Sequence, residues 1–227
     1  MADRRIIIAI DGPAGSGKST LAALLARRYN YINIETGAMY RALALKALET
    51  GVPLDDADAL ARLAAQSRIE LQARPTGNRV LLDRTDVTER IRQQDVTEAA
   101  SKVSVHPQVR AWMVESQRKL GAEGGVVMEG RDIGTQVFPQ AEVKVFLDAD
   151  PEVRGARRFL QNPTVHLPEK AAADLRERDY RDRTRANSPL VPAPDAVIID
   201  STLLTLDEVV ARVVDVVETR LQNLNKP

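Results

Sequence analysis

Residues 6–20 read IIIAIDGPAGSGKST, and this one segment constrains the fold more than any other. Ile6, Ile7, Ile8 and Ile10 form an apolar run without polar alternation, as expected of a strand buried on both faces in a helix-covered parallel sheet. Gly12, Gly15 and Gly17 then permit a tight loop whose backbone N–H groups turn inward around an anion. Leu21, Leu24 and Leu25 recur at helical spacing, so the loop opens a helix whose N-terminal dipole favours phosphate. Gly12, Gly17, Lys18 and Ser19 complete the pattern G-x-x-x-x-G-K-[ST]. In that pattern Lys18 reaches the β and γ phosphates, and the Ser19 hydroxyl is placed to ligate Mg²⁺. The strand before and the helix after supply the context the motif requires. Together they define a nucleotide-phosphate site, though not yet a reaction.

The remaining chain repeats the strand–helix alternation. Further strands are predicted at 31–34, 124–129, 143–148 and 196–200, in a chain that alternates strands with helices. Thr36 is placed to cap a helix reaching residue 50, with Met39, Leu43 and Leu48 facing inward. Asp55 or Asp56 starts another helix, which fades near Gln66. Residues 69–86 alternate around a Pro75-Thr76-Gly77-Asn78 turn signal and read as a β-hairpin inserted outside the main sheet. A helix is predicted around 96–105, and Pro107 opens the next, with Val109, Met113 and Leu120 buried and Trp112 flanking. Pro151 opens a helix bearing Arg154, Arg157 and Arg158; 162–169 is loop-like, and 170–185 is helical and dense in charge. Thr205-x-x-Glu208 is a capping box for a closing helix with Val209, Val213 and Val217 on one face. The fold class is therefore α/β: a five-stranded parallel sheet with helices on both faces, built by right-handed crossovers.

Composition removes several function classes. The formal net charge is zero, so nothing global favours nucleic acid or an anionic membrane as a partner. The chain has no cysteine, hence neither a disulfide framework nor a thiolate metal site, which suits a reducing cytoplasm. His106 and His166 are far apart, without ligand spacing, and read as a turn residue and a loop residue. No apolar run approaches the ~18–20 residues of a membrane span, and the N-terminus lacks a signal-peptide core, so a soluble cytoplasmic protein is expected. There is no H-E-x-x-H zinc motif, no evident Ser-His-Asp arrangement and no N-K-x-D signature of guanine-reading switches. Of the 32 basic residues, 25 are Arg, a fork suited to carboxylates and phosphates, although a codon bias would produce the same count.

Two further constellations stand out. In RERDYRDRTR (176–185), Arg178, Arg181, Asp182 and Arg185 share one helical face. Such a run reads either as a solvated, salt-bridged helix or as several guanidiniums converging on a phosphoryl group. Gly130-Arg131-Asp132 follows a buried strand at the sheet end where α/β proteins bind ligands, but would equally serve as a surface turn with a local ion pair. Arg41, off the buried stripe of its helix, reads by spacing as a surface residue.

The segments GPAGSGKST, ETGAMYR, DVTERIRQQDV, EAASKV, EGRDIGT, VKVFLDA, RERDYRDRTR and PLVPAPDAVIIDST occur in the order found in bacterial cytidylate kinases. The resemblance to that family of P-loop nucleoside-monophosphate kinases covers essentially the whole chain. It implies a single kinase domain, 1–227, with a core of 1–66 and 93–227, a monophosphate-binding insertion at about 67–92 and a lid at about 158–176. The implied reaction moves the γ-phosphoryl of Mg·ATP to CMP or dCMP, in a monomer that acts on small nucleotides. Carried over by position, Gly12, Pro13, Ala14, Gly15, Ser16, Gly17, Lys18, Ser19 and Thr20 resemble the ATP phosphate loop, with Ser19 on Mg²⁺. Arg41, Arg131 and Arg178 resemble the residues gripping the monophosphate, with Thr36 and Tyr40 nearby. Ser101, Arg110 and Asp132 resemble the cytosine readers, and Asp182 and Arg185 the ribose contacts. Arg157 and Arg181 resemble lid contacts to the transferred phosphate, Arg157 on the ATP side. Lys18, Arg131, Arg178 and Arg181 are thus the expected catalytic set. Glu129 and Glu35 stand where the resemblance leads one to expect Asp. A kinase for another acceptor, such as UMP, AMP or a metabolite hydroxyl, and a nucleotide-hydrolysing switch are the alternatives.

Overall fold

A computed structural model describes residues 5–74, 77–161 and 168–224. In chain order the elements begin with β1 (Ile7–Asp11), α1 (Lys18–Tyr29), β2 (Ile32–Glu35), α2 (Thr36–Thr50) and α3 (Ala57–Ala65). There follow β3 (Ile69–Arg74), β4 (Gly77–Leu82), β5 (Thr85–Asp86), a 3₁₀ turn (Arg90–Arg92), α4 (Gln94–Val103) and α5 (Pro107–Gly121). The last part holds β6 (Val126–Gly130), a π-helical turn (Ile133–Val137), β7 (Val143–Asp148), α6 (Pro151–Gln161), α7 (Pro168–Thr184), β8 (Val197–Asp200) and α8 (Leu206–Leu224). The predicted five-stranded parallel sheet is present, in the order β2-β6-β1-β7-β8. Contacts divide the chain into two units, Met1–Tyr31 with Gly124–Pro227, and Ile32–Glu123. His166, most of the predicted 162–169 loop and the Pro75-Thr76 turn lie outside the described residues.

In the first unit β1 is central, paired in parallel with β6 (Ile7 opposite Val126, Asp11 opposite Gly130) and with β7 (Ile8 opposite Val143, Asp11 opposite Phe146). Its register brings the C-terminal ends of β1 and β6 level, so their following loops leave the sheet at the same edge. Ile6, Ile8 and Ile10 are fully buried against Leu21 and Leu25 of α1, Val145 and Leu147 of β7, and Val213 and Val217 of α8. Each such side chain contributes roughly 1.5–3 kcal/mol of transfer free energy, which anchors the site-bearing loops to a rigid base. The predicted capping box is made: Thr205 N–H donates to Glu208 Oε2 at 2.8 Å, and Glu208 N–H donates to Thr205 Oγ1 at 3.3 Å.

The second unit has its own core of Met39, Leu43, Leu45, Leu60, Ile91, Val96 and Met113. The predicted hairpin is present as antiparallel β3 and β4, with Ile69 opposite Leu82, but a third strand, β5, adds to β4. Asp83 and Arg84 make that second turn with φ of 49° and 74°, both left-handed, the geometry of a tight primed hairpin turn. Asp-Arg is not the Asn-Gly or Asp-Gly pair that announces such a turn, so the strand was not legible. Two apolar expectations also change. Leu48 is 39% exposed, because α2 buries a broad face of Ala38, Ala42, Ala44, Leu45 and Ala47 rather than a single stripe. Leu120 is 36% exposed; the buried line on α5 runs Val109, Met113, Gln117 and Gly121 at every fourth residue. Glu35, not Thr36, occupies the N-cap of α2, and Thr36 is its first helical residue. Asp56 caps α3 by accepting from Ala59 N–H at 2.9 Å. The His106 ring Nε2 donates to the Leu54 carbonyl at 2.8 Å, a turn-fixing role as expected.

Candidate phosphate-binding and base-reading residues

In the first unit the loop 12–17 links β1 to α1. Gly12 has φ +151°, and a Cβ there would stand 2.0 Å from the carbonyl oxygen of Leu147, so only glycine lets the loop cross the end of β7. Lys18, the motif lysine, is only 4% exposed. Its ammonium donates to the Pro13 carbonyl at 2.6 Å and to Ser16 Oγ at 3.3 Å, and Ser16 Oγ itself donates to the same carbonyl at 3.1 Å. Burial, then the guanidinium of Arg131 and more weakly that of Arg178, lower the Lys18 pKa to about 7, with Glu129 and Asp11 opposing. A lysine so depressed beside two guanidiniums marks a place short of negative charge.

Ser19, at the exposed first turn of α1, donates through Oγ to Glu129 Oε1 at 3.0 Å. Glu129 is 5% exposed at the end of β6. One hydroxyl and one carboxylate are hard oxygen donors, the kind Mg²⁺ takes singly or in pairs while keeping phosphate and water ligands, so these residues fit the ion. The extra methylene of Glu129 does not remove it from Ser19.

Asp11 closes β1 and was not singled out from the sequence. Its two carboxylate oxygens accept from Ile133 N–H at 2.8 Å and Gly134 N–H at 2.7 Å. It thereby pins the Gly130-Arg131-Asp132 segment to the base of the phosphate loop. Burial raises its pKa to about 7 against the pull of these two N–H groups. Arg131 does not pair locally with Asp132: Arg131 Nε donates to Asp182 Oδ2 of α7 at 3.0 Å. Burial alone would lower the Arg131 pKa, but Asp182 and Glu129 outweigh it and raise it. Asp132 is buried at 5% exposure.

On α7 the inward face is Leu175, Asp179 and Asp182, at 2%, 8% and 5% exposure. Leu175, the apolar residue of these three, orients the helix. Asp182 sits among guanidiniums: besides Arg131, Arg185 Nη1 lies 3.7 Å from its Oδ1. Burial raises the Asp182 carboxyl, yet Arg131, Arg178 and Arg185 outweigh that and leave it below the ordinary range. Arg181 pairs with Glu177 at 3.6 Å on its own helix. Arg157 donates to Ser201 Oγ and to the Ser201 carbonyl at 3.0 and 2.8 Å. Thus Lys18, Ser19, Glu129, Arg131, Arg178 and Asp182 are linked through bonds and mutual fields, whereas Arg157 and Arg181 have partners of their own.

In the second unit the Arg110 guanidinium lies 5.6 Å from the centroid of the Tyr40 ring and donates to the Ser104 carbonyl at 3.2 Å. It is 3% exposed. Ser101 is 5% exposed and its hydroxyl has no hydrogen-bond partner among the described residues. A buried orphan hydroxyl is unfavourable unless something else bonds it. Arg41 Nη2 pairs with Glu35 Oε1 at 2.6 Å, while its Nε stays unpartnered and buried. Glu35 is fixed in turn by Asn78, whose Oδ1 accepts the Glu35 N–H at 3.1 Å and whose Nδ2 donates to the Asn33 carbonyl at 2.8 Å. Thr36 is buried at the start of α2, one turn before Tyr40.

A family model described as cytidylate kinase matches residues 8–219. A curated cytidylate kinase of Geobacillus thermodenitrificans is 50% identical over 222 residues, covering 96% of this chain and 99% of the relative. Another, from Solibacter usitatus, is 48% identical over 225 residues, covering 97% and 95%. Among solved structures, an uncharacterized protein from Eubacterium ventriosum aligns with a TM-score of 0.52 at 16% identity, over 95% of this chain and 99% of that one, a likeness of fold alone.

Proposed function

Since the chain belongs to the cytidylate kinase family, we propose that it transfers the γ-phosphoryl group of ATP to CMP or dCMP, giving ADP and CDP or dCDP. The observation that carries this reading is the convergence of Lys18, Arg131 and Arg178, with both guanidiniums close enough to lower the Lys18 pKa, beside a glycine-rich loop. A polyphosphate is the anion that relieves such a deficit.

A phosphate oxygen of the acceptor attacks the γ phosphorus while the bond to the ADP bridging oxygen breaks, with no covalent enzyme intermediate. Loop 12–17 and α1 hold the donor phosphates through backbone N–H groups. Lys18, Arg131, Arg178 and Arg181 neutralise charge on the group in transfer, and Arg157 serves the donor side. Thr36, Tyr40 and Arg41 bind the acceptor phosphate. Ser101, Arg110 and Asp132 read cytosine, the Asp accepting from its exocyclic amino group and the Arg donating to N3 and O2. Asp182 and Arg185 meet the ribose, Asp182 while holding Arg131. Ser19 and Glu129 would hold Mg²⁺, which supplies further neutralisation of phosphate charge. No helix of the described residues is long and apolar enough to cross a membrane. A monomer working in the cytoplasm is part of the same proposal, in keeping with the absence of cysteine.

The test is ADP release from ATP with a panel of nucleoside monophosphates. Turnover should be fast with CMP or dCMP and slow without an acceptor. Hydrolysis of ATP at the same rate with and without CMP would refute a kinase and support a nucleotide-hydrolysing switch.

A further inference from the structure

Arg154, in the first turn of α6, is 2% exposed and belongs to none of the roles above. Its Nε donates to the Ala149 carbonyl, just past β7, at 2.8 Å. Its Nη1 donates to the Ala14 carbonyl of the phosphate loop at 3.1 Å and to Asp179 Oδ2 of α7 at 2.5 Å. One planar guanidinium therefore joins the phosphate loop, the end of a core strand and the arginine-bearing helix. The contact is close on the backbone side too: a Cβ at Gly15 would lie 3.1 Å from the Arg154 carbonyl oxygen.

A buried ion pair is a weak device for stability, since apolar side chains of similar volume often serve as well. What apolar side chains lack is the ability to tie a loop carbonyl to a helix carboxylate in one register. On α7 the carboxylates of Asp179 and Asp182 lie three residues apart on the inward face, one on Arg154 and the other on Arg131. Arg178 and Arg181 are their direct sequence neighbours. Sliding α7 by one residue would break both ties and re-aim both arginines. We propose that Arg154 and Asp179 are positioning residues: their pair sets the register of α7 on the phosphate loop, so that filling the loop aligns Arg178 and Arg181 for transfer. This inference rests on the reaction proposed above.

The test replaces the pair by an apolar one, Arg154→Met with Asp179→Leu, which removes the tie without stranding a buried charge. Wild-type turnover with CMP is measured first; its absence would count against the kinase reading itself. In the double variant kcat should fall by about tenfold or more, while the KM for ATP stays within about threefold, a loss confined to the transition state. Hydrogen exchange supplies a second readout that needs no acceptor. ADP should protect the 12–20 amides in both proteins but the 176–184 amides only in wild type. A kcat within about twofold of wild type, or ADP protection of α7 in the double variant, would overturn the proposal. Should that variant not fold, the isosteric Asp179→Asn decides. It should lower kcat by about threefold or more at unchanged KM for ATP, and an unchanged kcat refutes the inference.

Discussion

Replacing Lys18 by Met should raise the melting temperature of the empty protein while abolishing its activity. The lysine is 4% exposed and its pKa falls from 10.5 to about 7. Holding a group so far from its ordinary protonation at pH 8 costs about 3 kcal/mol. Methionine removes that term but also the hydrogen bonds to Pro13 and Ser16, worth about 1–2 kcal/mol together. The net gain is about 1–2 kcal/mol, or roughly 2–8 °C in melting temperature for a chain of this size. The pH sign follows from proton counting. Between about pH 7 and 10.5 the unfolded lysine holds more protons than the folded one, so wild type gains stability as pH rises. The advantage of the variant is therefore largest near neutrality and shrinks towards pH 10. The assay is thermal denaturation in a nucleotide-free, phosphate-free buffer, repeated with ATP. Ligand at about a hundred times its Kd adds about 2.7 kcal/mol to wild type alone, inverting the order of the two proteins. Transfer to CMP should fall by about two orders of magnitude or more. A variant that melts below wild type without ligand, or an advantage that widens with pH, would show that Lys18 is not strained by burial.

Asp132→Asn should narrow the preference for CMP over UMP by about tenfold, chiefly by weakening CMP, since it removes the acceptor proposed for the cytosine amino group; an unchanged kcat/KM ratio would remove Asp132 from base reading. Gly12→Ala puts a methyl against the Leu147 carbonyl and should destabilise the first unit by at least about 3 kcal/mol. Gly51→Ala, with no atom within 4 Å, should cost only about 1–2 kcal/mol for its left-handed backbone, as chemical denaturation of the two would show. Thr205→Ala deletes the capping box and should cost about 0.5–2 kcal/mol in a melt, with kcat unaffected.

What could be read from the sequence was what local rules determine. The apolar run of β1, the glycine spacing before Lys18, Pro107 at a helix start and the Thr205–Glu208 box each specify their own conformation, and the structure holds all of them. What escaped was set by tertiary neighbours. Asp11 reads as an ordinary strand terminus, and only the parallel register of β1 with β6 brings it under the Ile133 and Gly134 amides. On α7 the charged residues hide the inward face, although Leu175 was a signal available to find Asp179 and Asp182. Arg154 was one of three arginines on α6, and nothing local distinguishes it from Arg157 and Arg158. The burial of Lys18 was missed because the motif describes the loop with its phosphates rather than the loop closing on its own Pro13 carbonyl.

The order in which the two units are encoded bears on how the protein is made. Unit Ile32–Glu123 is contiguous, so every partner in its core has left the ribosome once that segment has emerged. β1 is in the opposite position: Ile7 pairs with Val126 and Ile8 with Val143. At synthesis rates of about 5–20 residues per second, its apolar run waits on the order of ten seconds for either neighbour. The contiguous unit is thus free to fold first. The strand that organises the nucleotide loop meanwhile stays unpaired, a nascent hydrophobic segment suited to transient chaperone capture.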